Sequence, residues 1–313
     1  MTPPAGVLTQ VEQRLEDATG APVKIKTTTP VGGGCINPSA RLETEAGGSF
    51  FLKWNPSSPP EMFRAEADGL EALASAGSPL RVPEVLGHGG SGTEEAPGWL
   101  LMEFVPAGRA GPGYGGLLGE GLAQLHDAPV GSEALPDQGS YGWHRDNFIG
   151  SLSQANSPAT SWTGFWQGER LAPQLKMARR RGHFSGPGGR VLDRLMAELE
   201  TVMEGADQGG PALLHGDLWS GNFYPGPQGE PVLIDPAVYR GSGEVDLAMM
   251  ELFGTLPNGF REGYGGRRGL APEYDGFRRD LYQLYYLLVH VNLFGSGYEG
   301  STVAAAERAL EGA

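Results

Sequence analysis

His215-Gly216-Asp217-Leu218-Trp219-Ser220-Gly221-Asn222, followed by Val232-Leu233-Ile234-Asp235-Pro236, decides how this chain is read. The last aspartate stands eighteen residues after the first. Phosphoryl transfer needs a carboxylate to take the proton of the attacking hydroxyl, an asparagine five residues on for a metal ion, and a further aspartate joining magnesium to the nucleotide phosphates. Asp217, Asn222 and Asp235 supply those groups in that order. Between them, Phe223-Tyr224 and Val232-Leu233-Ile234 read as short strands, and Pro225-Gly226-Pro227-Gln228-Gly229 as the turn that joins them. Such a hairpin returns Asp235 to the side of Asn222, where both could ligate one Mg2+ with phosphate oxygens completing its shell. A lone His-Gly-Asp would be no more than a polar loop; the three positions together carry the chemistry.

Upstream, Leu8, Val11, Leu15 and Ala18 recur at helical spacing, and Gly20 supplies a glycine cap. Alternating Val23, Ile25 and Thr27 then start a strand. Gly32-Gly33-Gly34-Cys35-Ile36-Asn37 follows, and a second strand around residues 40–44 turns through Ala46-Gly47-Gly48 into Ser49-Phe50-Phe51-Leu52-Lys53-Trp54. Glycines lacking side chains let backbone amides approach phosphates, so Gly32, Gly33 and Gly34 are expected over the nucleotide, although their spacing departs from GxGxxG. Lys53 shares a strand face with Phe51 and is expected to contact the phosphates. Residues 61–73 read as a helix entered through Pro59-Pro60, with Met62, Phe63, Leu70 and Leu73 apolar, Glu61 and Glu71 solvated, and Glu66 placed to pair with Lys53. Residues 85–87 and 99–102 complete the strands. Glu103, Phe104 and Val105, just before Pro106, form the expected crossing whose backbone reads adenine, and the glycine-rich stretch from Gly108 to Gly116 marks a boundary.

Beyond it helical periodicity dominates: Leu117, Leu118, Leu122 and Leu125; Phe165, Leu171 and Leu175; Val191 through Val202; and Tyr274 through Leu288. The expectation is an α+β chain of two lobes, a small antiparallel-sheet lobe over residues 1–104 and a larger, mostly helical lobe over 105–313, with a ligand cleft between them. Arg179-Arg180-Arg181 reads as the end of a helix, where cations suit the carbonyl end of the dipole.

Composition narrows the rest. With 313 residues, 39% of them hydrophobic, the chain can bury substantial cores, and a formal charge of −14 argues against a nucleic-acid groove. No apolar run of spanning length and no secretion-type leader is read, so no membrane partner and a cytoplasmic setting are expected. Cys35 is the single cysteine, which excludes an intrachain disulfide; at the glycine-loop tip it is either inert or open to oxidation linking two subunits. A monomer or weak dimer is expected.

The chain resembles the fructosamine kinase (ketosamine 3-kinase) family, relatives of the aminoglycoside and choline kinases within the protein-kinase-like fold. The resemblance rests on residues 213–222, with Leu218-Trp219 after His-Gly-Asp, and on Asp235-Pro236-Ala237. Gly34-Cys35-Ile36, Phe51-Leu52-Lys53, Met102-Glu103, Glu244-Val245-Asp246-Leu247-Ala248, Tyr282-Gln283-Leu284 and Asn292-Leu293-Phe294-Gly295 extend it over about residues 22 to 295. It implies ATP- and Mg2+-dependent phosphorylation of the C3 hydroxyl of a ketosamine, free or on a glycated protein lysine, giving an unstable product that releases the amine. An aminoglycoside- or choline-type kinase and a nucleotide-binding pseudokinase remain the alternatives.

In this reading Asp217 is the base, and Trp219 either stacks on the sugar or packs the loop. His290 and Asn292 match the family near its sugar site, yet as i and i+2 of a helix they do not share a face, so at most one points at substrate. His215 is expected to lock the catalytic loop and Asp246 to accept its amide hydrogen bonds. Asp146-Asn147-Phe148 could reach the cleft rim. His88, His126, His144 and His183 show no ligand spacing and read as ordinary residues.

Overall fold

The computed structural model describes residues 1–32, 36–129 and 140–313. A helix, α1 (Ala5–Thr19), opens the chain and stops at Gly20, whose φ of 70° is the left-handed conformation glycine accepts without strain. Its buried stripe is Val7, Val11 and Leu15. Val7 is buried where Leu8, half-buried, was expected at the centre of the face, and Ala18, expected on the same stripe, is exposed in the last turn.

Five strands follow as one antiparallel sheet in the order β1-β2-β3-β5-β4: β1 (Ile25–Pro30), β2 (Ser39–Thr44), β3 (Ser49–Asn55), β4 (Val85–Gly89) and β5 (Gly98–Glu103). Alternation sorts the side chains of the central strands. Leu52, Trp54, Trp99 and Leu101 pack under α1 with Val7, Val11 and Leu15. Leu100 and Met102 face the other way, against Phe63, Ala67 and Leu70 of α2 (Met62–Ser75). Lys53 pairs with Leu100 across the sheet and therefore lies on the α2 face. Each fully buried Val, Leu or Phe here contributes about 1.5–3 kcal/mol, so two short helices suffice to hold the sheet.

The rest is mainly helical. It begins with α3 (Tyr114–His126), followed by a small hairpin of β6 (Asn147–Ile149) and β7 (Leu152–Gln154). The stripe from Phe165 to Leu175 forms α4 (Trp162–Phe165), a π-helical turn at Trp166–Leu171 and α5 (Ala172–Arg180), with the basic run at its end as expected. Next come α6 (Pro187–Val202), β8 (Ala212–Leu214), the hairpin of β9 (Phe223–Pro225) and β10 (Pro231–Leu233), and β11 (Tyr239–Gly241) paired to β8. Helices α7 (Glu244–Leu252), α8 (Phe260–Gly265), α9 (Arg279–Phe294) and α10 (Glu299–Gly312) complete the chain.

Leu117, expected in the buried stripe of α3, is exposed. Glycines are the reason: α3 and α8 approach so closely through Gly119 and Gly263 that a Cβ on either would strike the backbone of the other helix, and this contact turns Leu117 outward. Among the described residues no helix is long and apolar enough to cross a membrane.

Candidate active site

The β9–β10 hairpin does what its turn residues demand. Ile234 N–H donates to Asn222 O at 3.0 Å, closing the loop so that Asp235 emerges beside Asn222. The Asn222 amide, buried, donates to Asp217 O at 2.8 Å and Asp217 Oδ2 at 3.3 Å, and lies 3.4 Å from Asp235 O. Asp235 has φ 57°, a left-handed conformation that a non-glycine residue keeps only when its surroundings impose it. His215 imposes part of it, its Nε2 meeting Ile234 O at 2.8 Å.

Lys53 reaches down from β3. Its ammonium donates to Glu66 Oε1 at 2.6 Å and also contacts Asp235 Oδ1. Burial alone would lower the lysine's pKa, but the charges of Asp235 and Glu66 outweigh it and raise the pKa, so the amine stays cationic. Asp217 goes the other way. Removal from water, reinforced by the Asp235 charge, pushes its carboxyl up to about 7, against a partial offset from the Asn222 hydrogen bond.

These groups line one cavity of about 460 Å3, together with Gly32, Phe51, Glu103, Phe104, Val105, Asn147, Phe148 and Trp219. Gly33, Gly34 and Cys35 lie outside the described residues. Trp219 faces the cavity and also covers its own loop, its indole occupying the space a Cβ on Gly221 would need. At the crossing, Arg81 donates to Glu103 Oε1 at 2.6 Å and Glu230 Oε1 at 2.8 Å, while Tyr224 Oη donates to Val105 O at 3.0 Å. The β9–β10 hairpin is thereby tied to the segment from Glu103 to Val105.

Asp246 holds the loop from below. Buried at the start of α7, it accepts from His215 N at 2.8 Å and Gly216 N at 2.9 Å. Its third partner corrects the expectation for His126: the imidazole Nε2 lies 3.2 Å from Asp246 Oδ2 and its Nδ1 2.9 Å from Tyr264 Oη. Burial lowers the pKa of His126, so the ring is neutral, with Nε2–H donating to Asp246 and Nδ1 accepting from Tyr264. No sequence signal links residues 120 positions apart; the end of α3 brings His126 there.

Asn292 needs correcting as well. It is buried and its amide donates to Gln174 Oε1 at 2.8 Å, so it ties α9 to α5 and does not face the cleft. His290 bonds Tyr286 O through Nδ1 and packs against Phe253, Phe294 and Tyr298, away from the cavity lining. Helical register produces both results, because the turn of α9 that meets the catalytic loop carries Tyr286, whose Oη donates to Gly216 O at 2.8 Å.

The donor set suits magnesium bound with a nucleotide. Among the described residues no three His, Cys, Asp or Glu side chains gather as a complete metal site. Mg2+ in such sites takes one or two protein oxygens and fills its shell with phosphate and water, and Asn222 with Asp235 offers that number.

Comparison with known proteins agrees with this geometry. A family model described as fructosamine kinase matches residues 7–311. A Synechocystis protein named probable ketoamine kinase is 41% identical over 290 residues, covering 92% of each chain. The chloroplastic protein-ribulosamine 3-kinase of Arabidopsis thaliana is 39% identical, covering 91% of this chain and 83% of its own. A Thermobifida fusca crystal structure, provisionally named as a fructosamine-3-kinase, superposes with a TM-score of 0.81 at 33% identity over 96% of this chain and 98% of its own. More distant ADP-bound aminoglycoside phosphotransferases, such as one at 18% identity and TM-score 0.57, share the kinase-like two-lobe fold. The chain is a kinase, and it belongs to the fructosamine kinase family.

Proposed function

We propose that this chain uses ATP and Mg2+ to phosphorylate the C3 hydroxyl of ketosamines. The observation that carries the reading is the convergence of Asp217, Asn222 and Asp235 beneath Lys53 in one cleft. The names of its relatives, ketoamine and ribulosamine kinases, support the substrate class.

Asp217 accepts the C3 hydroxyl proton as that oxygen forms its bond to the γ-phosphorus, and the bond from that phosphorus to the β–γ bridging oxygen breaks to release ADP. Asn222 and Asp235 would hold magnesium, which neutralises charge building on the phosphates. Lys53, kept cationic and aimed by Glu66, leaves Asp235 for the α and β phosphates. Gly32, which lines the cavity, approaches the nucleotide, and the backbone of Glu103 to Val105 meets adenine. Asp246 and His215 hold Asp217 in register, and Trp219 forms a wall of the sugar pocket. Positioning and electrostatics supply the rate.

The test is turnover with Mg-ATP on ribulosamine, fructosamine, kanamycin and choline, with the phosphorylated carbon located by phosphorus and carbon NMR. The reading expects ketosamine turnover at O3. Preferred turnover of kanamycin or choline, or none on any substrate, would overturn it.

A further inference from the structure

Behind the cleft the β6–β7 hairpin carries a polar network that the phosphoryl-transfer motifs do not mention. Asn147, which lines the cavity but is 5% exposed, donates through Nδ2 to Val238 O at 2.7 Å. Gln154, 1% exposed, donates to Asn147 Oδ1 at 2.8 Å and to Ala237 O at 3.2 Å, and accepts from Tyr285 Oη at 2.6 Å. Asn156 Nδ2 joins the same Asn147 oxygen at 3.0 Å.

Arg170 anchors the far end. Fully buried on the π-helical turn, it donates to Asn156 Oδ1 at 2.8 Å and Ala155 O at 2.5 Å. Its guanidinium lies 3.9 Å from the ring centroid of Tyr239 and 4.6 Å from that of Phe165. It meets no carboxylate within ion-pair distance among the described residues. Burying a cation and three amides costs several kcal/mol unless their hydrogen bonds are met, and an apolar hairpin would have packed without that cost.

The network ends on two carbonyls directly beyond Asp235-Pro236, at Ala237 and Val238. Asp235 is in the left-handed region, and the segment beyond it is also tied by Ala237 N–H donating to His215 O at 2.8 Å and by the pairing of β11 with β8 from Tyr239 onward, so the network adds the side-chain half of its support. His215 holds the near side of Asp235 through Ile234 O, and Asn147 and Gln154 hold the far side. The same hairpin region also grips α2: Arg145 pairs with Asp68 at 2.6 Å, and Gly69 lies so close to Pro236 and Val238 that a Cβ there would be 3.2 Å from each. Glu66 and Asp235, the two carboxylates on Lys53, are thus mounted on one support.

We propose that Asn147 and Gln154, backed by Arg170, are positioning residues for Asp235: they fix the backbone that aims its carboxylate at the magnesium of the bound nucleotide. This rests on the reading of Asp235 as a metal ligand. Outer partners of this kind change metal affinity by about 10- to 100-fold when removed.

The experiment measures ADP binding by calorimetry on the whole chain, in EDTA and in saturating magnesium, for Asn147→Ala, Gln154→Leu and Tyr285→Phe. The expected result is that the magnesium-dependent gain in ADP affinity falls about tenfold or more in the first two variants and by less in the third, while affinity in EDTA stays within about twofold. Tyr285→Phe deletes one hydroxyl and decides by direction alone if the other two fail to fold. An undiminished magnesium gain, or an equal loss in both buffers, overturns the proposal. Asp235→Asn serves as the control: if it keeps the full gain, the metal reading itself fails, and that failure is separate.

Discussion

Replacing Asp217 by asparagine should stop catalysis and stabilise the fold, and the two effects should divide along pH. The carboxyl ionises near 3.8 in an unfolded chain and near 7 in the folded one. Between those values the unfolded state has lost the proton that the folded state keeps. Parent stability therefore falls as pH rises through this window, and the loss is complete above about 7. A difference of about 3 units at ~1.36 kcal/mol each sets a ceiling of about 4 kcal/mol. Because the side chain is only partly buried, screening by water brings the expectation to about 2 kcal/mol.

Asparagine carries no charge and still offers an oxygen to Asn222, so the variant should unfold several degrees above the parent near about pH 8, with the gap closing near about pH 4. Thermal unfolding in EDTA across that range measures it. The same variant should lose about 10²- to 10⁴-fold in kcat while ADP affinity stays nearly intact. A stability difference that ignores pH, or a less stable variant at alkaline pH, would refute the argument that burial and Asp235 set the ionisation of Asp217; near-normal kcat would refute its role as base.

Lys53→Met leaves Glu66 and Asp235 facing each other without their cation, so unfolding should come earlier by about 3–5 kcal/mol at neutral pH and by less in acid, where burial favours the protonated form of Glu66, as thermal scans at several pH values would read. His126→Phe keeps a planar ring, slightly larger than the imidazole, but removes a donor to Asp246 and the acceptor for Tyr264; steady-state kinetics should show kcat falling more than KM for ATP rises, with about 1–3 kcal/mol lost from stability. Gly119→Ala drives a methyl into the Phe260 carbonyl and should cost about 1–3 kcal/mol by urea unfolding, whereas Gly6→Ala, with nothing within 4 Å, should be neutral or gain up to about 1 kcal/mol.

The convergence of Asp217, Asn222 and Asp235 was legible because the chemistry expected of them ties residue type and spacing together. A hairpin between Asn222 and Asp235 follows from Pro225 to Gly229, and the face of Lys53 follows from strand alternation; the structure has both. The stripe of α3 was misread at Leu117 because periodicity counts apolar residues and cannot see that glycines on the opposite face bring α8 closer. His126 was passed over for a related reason: a single histidine at a helix end carries no spacing signal until α7 arrives beside it.

Asn292 and His290 illustrate the limit from the other side. Their positions matched a pattern, but which residues of α9 turn toward the catalytic loop depends on the rotation of the helix, and packing gave that place to Tyr286.

By itself the sequence determined the lobes' character, the hairpin that returns Asp235 to Asn222 and the identity of the acidic and basic groups, since local propensity and fixed spacing are properties of neighbouring residues. Tertiary structure alone decided which distant groups hold those residues in place: Asp246 with His126, Arg81 across the crossing, and the buried line from Arg170 to Ala237 and Val238. Buried polar groups must find partners wherever packing brings them, and nothing in their sequence separation records the choice.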